Sequence, residues 1–198
     1  TSVTSLIAKK NINSIKNRLV DLGKYSFESS VVIDGSNKKA PSLIKDYIEK
    51  ASEKITADLD DCLLFYYFGH GVERNNDLHF CFKDSDSSKL PTLLPFGDIT
   101  KWIVGYGIKR TIFIVDCCFA GAATYELHTT MGPGFKYSLV ASSVPLQRAH
   151  VMEGDSPFGA FSLSLFNGLR NNAAAGSSNN NVTVRSLFDF TSSRLNQY

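Results

Sequence analysis

No apolar run in this 198-residue sequence reaches the roughly 18 residues that a membrane-spanning helix needs, so no membrane partner is expected. A surplus of one charge is also missing. The 21 Lys and Arg residues against 19 Asp and Glu leave a formal net charge of +2, which gives no reason to expect a nucleic-acid partner. The basic pairs Lys9-Lys10, Lys38-Lys39 and Lys109-Arg110 are scattered and read as solvated surface. Cysteine is scarce. The four present, Cys62, Cys81, Cys117 and Cys118, form no C-x-x-C pair with a matching second pair, which argues against a zinc site. Cys117 and Cys118 are adjacent and poorly placed to bond each other. Three of the four lie in or beside apolar runs, as expected of reduced thiols in a cytoplasmic protein. No signal peptide is visible, and the start at Thr1 is expected of a fragment of a longer, regulated protein.

What is present suffices for a core. With 43% hydrophobic and 12% aromatic residues, the length suits one domain spanning residues 1–198. Two stretches stand out. Thr111–Gly121 (TIFIVDCCFAG) begins as a nearly unbroken apolar run, the pattern of a strand buried on both faces of a parallel sheet, and then turns to Asp116, two cysteines and small residues. Leu63–Phe68 (LLFYYF) has the same design and ends in Gly69, His70 and Gly71. Open α/β sheets place their chemistry at the carboxyl ends of such strands.

Between and around them, periodicity predicts an amphipathic helix over Asn11–Leu22 stopped by Gly23, a strand at Val31–Ile33, and a helix from Pro41 to Ile55. A turn is expected at Asn75–Asp77, a strand over Leu78–Phe82, a polar loop over Lys83–Pro95 and a helix over Phe96–Val104. Beyond the cysteines come a loop over Ala122–Lys136, a strand over Tyr137–Ala141, a helix over Phe158–Leu169, a low-complexity linker over Asn171–Asn181 expected to be mobile, and a last helix capped by Thr183. Alternating strands and helices predict an α/β domain with a mostly parallel sheet.

Cys118 lies past its apolar run, where a sharp turn leaves backbone N–H groups exposed and favours a thiolate. Cys117 is expected to point the opposite way, into the packing. His70 sits between two glycines at the end of a rigid strand, and imidazole is the usual acid or base near neutral pH.

Tyr67-Phe68-Gly69-His70-Gly71 and Asp116-Cys117-Cys118-Phe119-Ala120-Gly121 together resemble the two signature segments of caspase-like cysteine peptidases. They are closest to the metacaspase and bacterial caspase-like branch, with its S-G-H-G and D-x-C-x-[SA]-G patterns. His70 precedes Cys118 by 118 − 70 = 48 positions, against about 50 in caspases. Val140–Ser143 and Phe158–Leu169 resemble the strand and helix that follow, so the likeness covers roughly Asn11 to Leu169. Phe68 and Phe119 depart from it, standing where metacaspases usually carry a small polar residue and a histidine. A family member also opens with an apolar strand, for which only Thr1–Ala8 is available.

The resemblance implies an α/β/α sandwich and a cysteine endopeptidase acting on protein or peptide substrates through a His70/Cys118 dyad, with no cofactor and no metal. It implies an oxyanion hole formed by the N–H groups of Gly71 and Cys118, and a P1 Arg or Lys paired with Asp116. Asp116 as a helix cap is the competing reading. Asp84–Ser88 raises calcium activation but lacks the glycine and glutamate of an EF-hand loop. Lys136 is a candidate self-cleavage site. His79, His128 and His150 are expected to be structural or exposed. The alternatives are a non-catalytic caspase-like module that binds partner proteins, and a separase-related or CHAT protease, whose usual S-A-C the D-C-C segment matches less well.

Overall fold

The computed structural model describes residues 12–19, 33, 39–56, 61–146, 159–170, 173–174 and 181–195. The chain forms two compact units, one of residues Ile33–Ala149 and one of Thr1–Val32 with His150–Tyr198.

The first unit is built on a parallel sheet of β1 (Leu63–Phe68), β5 (Arg110–Asp116) and β6 (Lys136–Ala141), in the order β1-β5-β6. Both apolar stretches are strands over the expected ranges, with β5 beginning one residue earlier and ending at Asp116. The strands pair in register from Leu63 with Thr111 through Phe68 with Asp116. A second, antiparallel sheet joins β2 (Gly71–Arg74), β3 (Asp77–Phe80) and β4 (Leu94–Pro95). The β2–β3 hairpin turns through Asn75 and Asn76, both left-handed (φ 57° and 65°), the paired conformation a two-residue hairpin loop requires.

Helices α2 (Ala40–Ser52), α3 (Phe96–Gly105) and α4 (Ala123–Thr130) supply the rest of the core. Pro41 opens α2 as expected, while Ser42 donates to the Lys39 carbonyl instead of capping the helix. Ile44 and Ile48 of α2, Ile99 and Ile103 of α3, and Leu127 of α4 bury against Phe113, Val115 and Cys117, the alternate residues of β5 and its extension. Phe96 and Phe113 meet edge to face, with centroids 5.2 Å apart, and Phe80 meets Phe96 the same way at 6.0 Å.

In the second unit, α1 (residues 12–19), α5 (Ala160–Leu169) and α6 (Val184–Leu195) are described. Gly168 lets α5 and α6 close up: a Cβ there would lie 2.8 Å from Leu187 Cδ1. Thr183 caps α6 as expected, its Oγ1 accepting from Ser186 N at 3.0 Å while Ser186 Oγ accepts from Thr183 N at 2.9 Å.

Several expectations need correction. Ala122–Lys136 is not simply a loop, because α4 fills its first half. Only Ala123 and Leu127 of α4 are buried, so it carries no apolar stripe for periodicity to find. Strand β2 went unread because Gly-Val-Glu-Arg is short and polar. The strand expected over Leu78–Phe82 runs over Asp77–Phe80, and the Lys83–Pro95 loop ends in β4. The helix expected from Pro41 to Ile55 stops at Ser52. The expected strand within Thr1–Ala8, the end of the first helix at Gly23, most of Val31–Ile33, and most of the Asn171–Asn181 linker lie outside the described residues. Among the described residues no helix is long and apolar enough to cross a membrane.

Candidate functional site

The two strand ends meet. The β1–β5 pairing has a constant offset of 111 − 63 = 48 residues. It continues one step past the strands, where Gly69 N donates to Asp116 O at 3.1 Å. Beyond that bond Gly71 packs on the cysteine turn. A Cβ on Gly71 would overlap the Cys118 carbonyl oxygen and lie 2.6 Å from Cys117 Sγ, so only glycine fits. The sequence separation of 48 between His70 and Cys118 equals the offset of the two parallel strands that precede them.

The cysteine turn is held from β6. Ser142 Oγ accepts from Cys117 N and donates to Cys117 O, both at 3.1 Å. Ser143 Oγ accepts from Ala120 N at 3.0 Å and donates to Cys117 O at 3.1 Å, while Gly121 N donates to Ser143 O at 2.9 Å. Gly121 is required here, because a Cβ would lie 2.7 Å from Pro145 Cδ. The sharpness of the turn falls on Phe119, a non-glycine residue in the left-handed region (φ 62°, ψ 20°), a conformation that costs about 1–2 kcal/mol. These bonds occupy the N–H groups of Cys117, Ala120 and Gly121. Among the described residues, those of Cys118 and Phe119 have no hydrogen-bond partner.

The two cysteines separate as expected. Cys117 is buried, and desolvation pushes its thiol well up, with Asp116 and the thiols of Cys118 and Cys81 adding to the effect. It stays a neutral packing group. Cys118 is half-exposed. All four cysteines are free thiols, and Cys62 is exposed.

On the histidine side, Gly71 faces Phe80 across the hairpin. Cys81 N donates to His70 O at 3.0 Å, so the neighbouring Gly71–Phe80 pair is a non-hydrogen-bonded one and the Gly71 N–H points away from β3. The His70 side chain is exposed and, among the described residues, is not hydrogen-bonded to Cys118. Its backbone is clamped by Tyr67, whose hydroxyl lies 2.9 Å from both His70 O and Cys81 O and shares its one proton between them.

Asp116 is only 6% exposed, on the face of β5 opposite Cys117. The short helix after the cysteines has no side-chain cap, so Asp116 does not cap it. Lys136 opens β6 opposite Arg110, at the far end of the sheet, about 20 Å of strand from the Cys118 turn, so the chain's own Cys118 does not reach it. The Asp84–Ser88 loop satisfies itself. Asp86 Oδ1 accepts from Ser88 N and Oγ, bonds that lower its carboxyl below the usual range, and Asp86 Oδ2 pairs with Lys89 at 3.2 Å. Among the described residues no group of three or more His, Cys, Asp or Glu side chains could hold a metal ion. His79 is buried and bonds the Asp77 carbonyl through Nδ1 at 3.1 Å, the structural role expected of it.

Residues 2–126, well over half of the chain and including both strand ends, match the family described as Raptor N-terminal CASPase like domain. The chain belongs to this family. Its fold is accordingly caspase-like α/β, as the parallel sheet flanked by helices also shows. The family description carries the caspase-like fold but not the metacaspase branch. No curated protein matches the sequence significantly.

Sequence reasoning missed Tyr67, Ser142 and Ser143. The serines had a signal, since they end a strand just where a neighbouring turn needs bonding. Tyr67 had none beyond its place in the Gly-His-Gly segment.

Proposed function

We propose that this caspase-like domain is a cysteine endopeptidase of metacaspase-like type. The Cys118 thiolate attacks the scissile carbonyl, forming the S–C bond, and His70 delivers its proton to the leaving amine as the C–N bond breaks. Water then releases the acyl group with His70 as base. The N–H groups of Gly71 and Cys118 receive the oxyanion, where losing one donor typically costs about 10²–10³ in rate. The β1–β5 register is the observation that carries this reading. It pairs the strands that end just before His70 and Cys118, and Gly71 packs on the cysteine turn. Asp116, buried beside the cysteine turn, selects Arg or Lys at P1. The free thiols suit a cytoplasmic setting, with peptide or protein substrates and regulation by neighbouring domains or partners. No cofactor enters the reaction.

A second reading is a non-catalytic caspase-like module that binds partner proteins. It is favoured by the family description and by the exposed His70 imidazole, which is not hydrogen-bonded to the thiol. Fluorogenic peptides with Arg, Lys or Asp at P1, tested on the wild type and Cys118→Ala, separate the two. Cleavage after Arg or Lys that is lost in Cys118→Ala supports the peptidase. Preference for Asp removes the role of Asp116. No cleavage, together with no labelling of Cys118 by a thiol-directed electrophile, supports the module.

A further inference from the structure

Between Phe68, the last residue of β1, and Gly71, the first of β2, the chain leaves one sheet and enters another within two residues. The His70 carbonyl of that turn and the Cys81 carbonyl after β3 meet at one buried hydroxyl. Tyr67 Oη lies 2.9 Å from His70 O and 2.9 Å from Cys81 O, and Cys81 N closes the same patch by donating to His70 O at 3.0 Å. The Tyr67 ring is fixed from below by Phe80, stacked at 3.9 Å between centroids with the planes 23° apart, and from the side by Phe82 at 6.3 Å. From outside, Gly69 closes the space, for a Cβ there would lie 2.6 Å from Tyr67 Oη and 2.9 Å from Cζ. The glycine before His70 therefore has a steric reason that is separate from backbone conformation.

We propose that Tyr67 is the positioning residue for His70: its hydroxyl holds the His70 carbonyl and so fixes the backbone from which the imidazole projects. This rests on the reading of His70 and Cys118 as a reacting pair. The role needs a group that donates, and burial among apolar neighbours keeps the phenol protonated well above its usual range. It also needs rigidity. Tyr67 reaches His70 from the same strand that carries it, three residues earlier, so the imidazole is referenced directly to β1 and, through the register, to β5. The side chain of His70 has no hydrogen-bonding orienting group among the described residues, which leaves its backbone as the element by which it is aimed.

The test is the pH profile of iodoacetamide alkylation at Cys118, mapped by mass spectrometry, in the wild type, His70→Ala, Tyr67→Phe and Gly69→Ala, with thermal melts confirming that each is folded. On the reading of a reacting pair, His70→Ala displaces the alkylation profile from its wild-type position. Tyr67→Phe, which removes one oxygen and keeps the ring, displaces it part of that distance. Peptide cleavage falls about tenfold in kcat with KM unchanged. Gly69→Ala, whose methyl meets the same hydroxyl, reproduces the shift. If His70→Ala moves the profile while Tyr67→Phe and Gly69→Ala leave it at the wild-type position, the positioning role is overturned and the pair survives. If the wild type and His70→Ala already share the ordinary thiol profile, the pair itself fails, and Tyr67 has nothing to position.

Discussion

The turns after β1 and β5 end two neighbouring strands at the same level, yet they are secured in opposite ways. The cysteine turn is held by a third strand. Four hydrogen bonds from Ser142 and Ser143 at the end of β6 fix a backbone that carries Phe119 in the left-handed region. The histidine turn is held by its own surroundings, through Tyr67 three residues earlier and Cys81 just past β3 of the second sheet. Tertiary bonding can sustain strain because β6 over-determines the cysteine turn. The histidine turn carries no such strain and instead presents an exposed side chain from a rigid backbone. The two turns approach each other closely at Gly71.

Gly71→Ala therefore breaks the comparison at its joint and has the largest expected effect. The added methyl overlaps the Cys118 carbonyl oxygen, in a turn whose neighbouring Cys117 carbonyl and Ala120 N–H are bonded by the serines. Overpacking against fixed backbone costs about 3 kcal/mol. A clear drop in Tm and loss of electrophile labelling at Cys118 are expected. A variant with wild-type Tm and labelling would show that the two turns are not in contact as described.

Removing the serine hydroxyls comes next. Ser142→Ala strips the partner from Cys117 N, and Ser143→Ala strips it from Ala120 N, each leaving a group that water must re-satisfy at a cost of about 1–3 kcal/mol. Because both serines bond Cys117 O, the double variant should depart from additivity. Chemical denaturation of the two single variants and the double measures the coupling. Strict additivity would mean that the serines act on separate parts of the turn.

Much of this arrangement was legible in the sequence because buried parallel strands advertise themselves. Leu63–Phe68 and Ile112–Val115 are apolar without interruption, and polar or small residues mark where each stops. The separation of 48 between His70 and Cys118 was readable as a number, but only the register gives it a meaning. What stayed hidden depends on groups that carry no pattern. Strand β2 is four residues of mixed polarity. Helix α4 buries two side chains, too few for a stripe. The left-handed Phe119 looks like an ordinary aromatic. The partners of Tyr67 are backbone carbonyls, which every residue possesses, so no choice of residue types announces them.

The smallest expected effect sharpens the comparison at its second point of approach, where the hairpin that follows His70 meets the helix that follows the cysteine turn. Asp77 opens β3, and one of its carboxylate oxygens, Oδ1, is buried without a partner. Burial first, and then the Glu126 carboxylate of α4, hold its carboxyl above the ordinary range. Asp98 on α3 pushes the same way, while His79 and Lys101 oppose. Glu126 is itself confined, its Oε2 lying 2.7 Å from where a Gly97 Cβ would stand at the start of α3. A carboxyl whose folded pKa is raised keeps its proton longer in the folded state. Its stabilising contribution is therefore fully present below the unfolded value, near about 4, and is lost as pH rises through the folded value. Asp77→Asn removes that loss, so the variant should gain Tm relative to the wild type as pH climbs from about 4 towards neutrality and match it most closely in acid. Melts across this range decide it. Parallel profiles for the two proteins would mean that the hairpin and α4 meet without electrostatic conflict.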